Sequence, residues 1–144
     1  MTTLRIARPV SDLDRATRMY SAGLGLVRLG SFDDHAGFDG VMLGRPELPW
    51  HLEFTRCRHH AVAPTPTVDD LLVLYLPEPA TWSASCDRMQ RAGFDRTASF
   101  NPYWDACGRT FVDTDGYRTV LCAKPWLPAA SGMAHGRSPF RADH

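Results

Sequence analysis

The stretch RPVSDLDRATRMYSAGLGL, residues 8–26, decides how the rest of the chain is read. Pro9 and Val10 close an apolar run that begins at Leu4. Ser11-Asp12-Leu13-Asp14 then fits the S-x-x-D capping signal, with Ser11 as N-cap and Asp14 reaching back. Two acids in the first turn suit the positive end of the helix dipole. Leu13, Ala16, Tyr20 and Leu24 follow at steps of 3, 4 and 4, one stripe of a helix. Gly23 and Gly25 supply the stop. The stretch is a strand-to-helix entry with its own terminator.

Outward from it, Leu4, Ile6 and Val10 alternate with Arg5, Ala7 and Pro9 as a strand, with Arg8 interrupting the apolar side. Downstream, Leu26–Phe32, Phe38–Leu43 and Trp50–Thr55 read as three strands. A polar turn around Asp33, Asp34, His35 and Gly37 and a Pro46–Pro49 breaker separate them. Residues 57–69 form a polar linker containing Pro64 and Pro66. The order then repeats. Leu71–Leu76 is a fully apolar strand, and Pro77 and Pro79 open a helix whose stripe is Trp82, Cys86, Met89 and Gly93. Phe94–Phe100, Cys107–Asp113 and Tyr117–Ala123 are strand candidates, the last two joined at Asp115-Gly116. Each half reads strand, helix, strand, strand, strand. Two copied modules of this kind must bury their open sheets against each other. The expectation is one α+β domain over residues 1–123, with modules 4–56 and 70–123, followed by a flexible C-terminal tail over 124–144.

The chain has 144 residues, 44% of them hydrophobic and 22% charged, ordinary values for a globular domain. Sixteen basic residues balance sixteen acidic ones. That offers no phosphate-neutralising surface, so nucleic acid is excluded as the expected partner. Zero net charge gives little colloidal repulsion and suits self-association. No stretch reaches the ~18 apolar residues of a membrane span, and the N-terminus lacks a signal-peptide core. Cys57, Cys86, Cys107 and Cys122 contain no C-x-x-C pair and read as reduced thiols of a cytoplasmic protein.

This order, together with residues 8–26, H-L-E-F-T (His51–Thr55) and F-V-D-T-D-G-Y-R (Phe111–Arg118), resembles the vicinal oxygen chelate superfamily. That superfamily includes glyoxalase I, extradiol dioxygenases, fosfomycin-resistance proteins and bleomycin-binding proteins. The stretch D-H-A-G-F-D-G-V-M-L-G (Asp34–Gly44), with H-L-E-F-T and N-P-Y-W (Asn101–Trp104), is similar to its YycE-like subgroup. The resemblance implies a curved eight-stranded cup with a small-molecule site inside it, and a homodimer, with the cup either within one chain or made by exchanging modules. It also implies four metal-ligand positions, which fall here on Arg5, Glu53, Leu71 and Val120. Only Glu53 is a ligand type. Arg5 does not deprotonate, and Leu71 and Val120 have no lone pairs. The expected cofactor is therefore none, with a divalent metal held through Glu53, His51 and His35 as the residual possibility.

Function follows from the site and not from the fold. In Trp50–Thr55, His51, Glu53 and Thr55 share one face and Trp50, Leu52 and Phe54 the other. If the polar face lines the cup, Arg5 pairs with Glu53 where the cation would sit, and Glu53 and His51 are the catalytic candidates. A solvated edge strand is the bland alternative. Arg5, His35, Tyr75, Asn101, Tyr103, Trp104 and Arg118 are the ligand-binding candidates, with Tyr103 and Trp104 as an aromatic wall on a loop. Asp113 and Asp115 read as hairpin-turn residues. The leading expectation is metal-independent binding or sequestration of a small organic molecule, or an unassigned lyase or isomerase step. The alternatives are a metal-dependent glyoxalase-like lyase or dioxygenase, and an interaction protein with a plugged cup.

Overall fold

The computed structural model describes residues 1–129. Two modules follow one another: β1 (Leu4–Pro9), α1 (Leu13–Leu24), β2 (Val27–His35), β3 (Phe38–Gly44) and β4 (Trp50–Cys57), then β5 (Leu71–Tyr75), α2 (Pro79–Arg91), β6 (Asp95–Thr97), α3 (Pro102–Cys107), β7 (Gly108–Val112) and β8 (Arg118–Cys122). The strands form two four-stranded mixed sheets, ordered β1-β4-β3-β2 and β5-β8-β7-β6. In each sheet the first strand pairs in parallel with the last, and the other pairings are antiparallel. The expected α+β fold of two βαβββ modules is present. The second module departs from the pattern in one place. Its first antiparallel strand is cut to three residues, and α3 follows where a loop was expected, because Asn101 caps Tyr103 N and Pro102 presets the first turn.

The helix stops follow backbone chemistry. Gly25 takes φ 66° as the C-cap of α1, a conformation that only glycine adopts freely. Gly23 does something else. A Cβ there would meet Met89 Sδ and Phe94 Cε2, each at 2.9 Å, so its bareness lets α2 and the strand after it approach α1 closely. The N-cap of α1 is Asp12, whose carboxylate accepts from Arg15 N at 2.9 Å. Ser11, expected there, is recruited instead by Asp115, to which it donates through both its amide (3.1 Å) and its hydroxyl.

α1 and α2 lie between the sheets, and one core runs through both modules. It holds Val41, Leu43, Leu52 and Phe54 of the first sheet, Phe111 and Leu121 of the second, and Met19, Tyr20, Cys86 and Met89 of the helices. Tyr20 is its joint. Fully buried, its ring meets Phe54 edge-on at 4.8 Å and Phe94 at 5.0 Å. Its hydroxyl donates to Asp113 Oδ2 at 2.7 Å, 93 residues away. Burial, and secondarily the Asp113 charge, raises this phenol far above its ordinary value, so it remains a donor. Tyr117 adds a second tie, donating to Pro9 O at 2.8 Å under the Arg8 guanidinium. Asp113 and Asp115 thus shape their hairpin and also bolt the modules together.

Tyr20→Phe keeps the ring and deletes only the bond to Asp113. It is expected to lower stability by about 1–2 kcal/mol at unchanged cooperativity, read as a lower urea midpoint with the same m-value.

Candidate ligand-binding site

β1 and β4 build the polar pole of the site. Their parallel register sets Arg5 beside His51 and Ala7 beside Glu53. Leu52 and Phe54 are fully buried against the helices, so His51, Glu53 and Thr55 lie on the opposite face. Arg5 closes the group. Its Nη1 donates to Glu53 Oε2 at 2.9 Å and its Nε to His51 Nε2 at 2.9 Å. The carboxylate is the sheltered partner, 14% exposed against 48% for Arg5. Because His51 Nε2 accepts, this imidazole carries its proton on Nδ1 and presents a donor outward. Glu53 Oε1 accepts no bond from the described residues. The pole therefore offers guanidinium and imidazole N–H donors beside one open carboxylate oxygen. Gly44 makes room for it, since a Cβ there would lie 2.8 Å from His51 Cβ.

The second sheet builds an apolar face. Leu72 and Leu74 join the helical core, whereas Leu71, Val73 and Tyr75 alternate onto the other side with Val120, Cys122, Trp104 and Tyr103. Register confirms the module correspondence. Val120 stands to Val73 as Glu53 stands to Ala7, and Leu71 lies opposite Arg118 as Arg5 lies opposite His51. Tyr103 and Trp104 meet edge-on at 5.0 Å. Burial raises the Tyr75 and Tyr103 phenols, which stay protonated. Burial and the adjacent Cys122 push the Cys107 thiol up to about 12, so it is not a nucleophile at neutral pH.

The predicted residues thus divide. Arg5, His51 and Glu53 come together on the first sheet, and Tyr75, Tyr103 and Trp104 where α3 packs on the second, each on the face turned from α1 and α2. The others stand apart. Asn101 spends its side chain on capping α3 at 3.0 Å from Tyr103 N. Arg118 donates to Ala98 O at 3.3 Å. His35 is exposed at the end of β2, its ring 6.3 Å from that of Phe32. Among the described residues no group of three His, Cys, Asp or Glu side chains converges on one point.

Sequence reasoning passed over one cluster. Asp39 lies on β3 opposite Arg56 and is 2% exposed. Its carboxylate accepts from Arg58 Nη2 at 2.7 Å, Arg56 Nη2 at 2.7 Å and Asp34 N at 2.9 Å. The Arg58 guanidinium first, then Arg56, hold this carboxyl well below its ordinary range. With Ser11, Asp12, Asp14 and Asp33 the cluster lines an open cleft of about 560 Å³. The signal available was the i, i+2 spacing of Arg56 and Arg58, which points both side chains to one face of an extended chain.

The fold is that of the vicinal oxygen chelate superfamily. The chain is similar in structure to glyoxalase I of Leishmania major, at TM-score 0.66 and 20% identity, over 86% of this chain and 87% of that one. It is likewise similar to the fosfomycin resistance protein FosX of Mesorhizobium loti, at TM-score 0.60 and 12% identity, over 85% and 90%. Within the superfamily, residues 4–55 match the YycE-like N-terminal domain and residues 69–123 the YycE-like C-terminal domain. The uncharacterized protein YycE of Bacillus subtilis (strain 168) is 44% identical over 118 residues, 82% of this chain and 85% of that one. A crystal structure of the Bacillus subtilis YycE protein matches at TM-score 0.80 and 40% identity, over 88% and 92%. The chain belongs to the YycE-like family.

Because the folded Asp39 carboxyl is depressed, the stability it contributes is complete above its ordinary value of 3.8 and fades as pH falls below that. Wild-type stability is expected to decline more steeply than that of Asp39→Asn below about pH 4, measured by denaturant unfolding across that range.

Proposed function

We propose that this protein binds a small organic molecule without a metal ion, seating the molecule's polar end on the Arg5–His51–Glu53 pole. One observation carries the reading. The Arg5 guanidinium already holds Glu53 Oε2 and His51 Nε2, the lone pairs that a metal at this pole would need. A guanidinium there is permanently charged and supplies the positive charge of the missing cation while leaving N–H groups for a carbonyl or anionic oxygen. Glu53 Oε1 accepts a hydroxyl or amide proton from the same molecule, and a lyase or isomerase step would move its proton through that oxygen.

Among the described residues the pole has no opposite wall within its own chain, because the apolar face stands on the other sheet. A homodimer that sets the Tyr75–Tyr103–Trp104 face of one copy over the Arg5 pole of the other completes an amphiphilic cup. Four free cysteines fit a reducing cytoplasm. Among the described residues no helix is long and apolar enough to cross a membrane.

The protein is incubated with Zn²⁺, Ni²⁺, Mn²⁺ or Fe²⁺, desalted, and weighed by native mass spectrometry. A dimer mass with less than about a tenth of an equivalent of metal per chain is expected. Retention of about one equivalent overturns the reading in favour of a metal-dependent lyase or dioxygenase. A monomer mass overturns the two-copy cup.

A further inference from the structure

The chain leaving β8 does not depart from the apolar face of the second sheet. Ala123 N donates to Cys107 O at 2.7 Å, which steers the next residues along α3. Pro125 and Pro128 then keep the backbone extended. As a result Lys124, Trp126 and Leu127 wall a cavity of about 440 Å³ whose other sides are Tyr75, Tyr103 and Cys122. The volume suits a drug-sized ligand.

The lining has a distinct chemistry. Lys124 is the only lysine in the sequence, all other cations being arginines. Among the described residues it is the only charged one lining the cavity. Arg56 and Arg58, by contrast, are taken up by Asp39. The two phenols remain protonated donors. Trp126 and Leu127 are 53% and 77% exposed, a large apolar surface to leave in water beside two tyrosine rings. A flat ring sandwiched there would cover that surface, and a negative substituent would meet the ammonium.

We propose that Lys124–Leu127 and the Tyr75–Tyr103 wall form a second binding pocket, for a small planar aromatic anion whose charge meets Lys124 and whose ring lies against Trp126 and the tyrosines. This pocket shares the aromatic wall with the reading above but not its Arg5 pole, so the two fail separately.

The test uses 1-anilinonaphthalene-8-sulfonate as the aromatic anion and N-phenyl-1-naphthylamine as its uncharged counterpart, each titrated by fluorescence into the full-length protein. Saturable binding of the anion near one equivalent per chain is expected. Lys124→Gln should weaken the anion by about fivefold or more and leave the neutral probe unchanged, and Trp126→Ala should weaken both. An anion affinity unmoved by Lys124→Gln, or one lost with Arg5→Gln instead, overturns the proposal. A second measurement needs no variant. Acetylation of Lys124 by an N-hydroxysuccinimide ester, located by mass spectrometry, should slow about fivefold in saturating anion. An unchanged rate overturns the proposal as well.

Discussion

A slip of one residue between β1 and β4 would turn Glu53 into the helical core and Leu52 out of it. The parallel register of these two strands is therefore the constraint on which the polar pole rests. Leu52 and Phe54 enforce it by burial, since expelling either costs roughly 2 kcal/mol of transfer energy and internalising a carboxylate costs more. The same apolar packing that stabilises the first sheet thereby sets the distance between a guanidinium, an imidazole and a carboxylate that are 46 and 48 residues apart in the chain. Positioning of the polar groups comes from the hydrophobic side of the strand.

The second constraint is the joint between modules. Tyr20 belongs to the first module, yet its ring also meets Phe94 and its hydroxyl bonds Asp113, both of the second. Gly23 brings α2 close enough for that contact to form. Once α1 and α2 occupy the space between the sheets, each sheet has only its other face left to present. That is why the polar pole and the aromatic wall point away from each other in one chain.

Much of this was legible in the sequence. Period-two alternation in Trp50–Thr55 and the stripe from Leu13 to Leu24 are local signals, and they located β4 and α1 and named the faces of both. The Arg5–Glu53 pair was legible only through the superfamily resemblance, which put both residues on ligand positions of the cup. What was not legible depended on distant partners. Ser11 carries a good capping side chain, but Asp115 from the other module competes for it, and Asp12 takes the cap. Asp39 sits between Phe38 and Gly40 in a turn-rich stretch, so its burial shows only when Arg56 and Arg58 are brought opposite it. Tyr75 was named as a ligand candidate, but an apolar strand without alternation does not say which of its faces turns from the core. Asn101 was read as a ligand contact, whereas the backbone of α3 has first claim on its side chain.

The pairing of first strand with last also governs how the chain comes off the ribosome. β1 emerges with an open edge and waits for β4, and β5 waits in the same way for β8. Neither sheet gains a partner for its opening strand until its final residues have been synthesised, so each module closes as a unit and late. Leu4–Pro9 is mostly exposed or only half covered even in the finished protein. During translation it is a bare template for strand addition, and the polar Arg5 and Arg8 that interrupt it act then as charged gatekeepers against pairing with a neighbouring nascent chain.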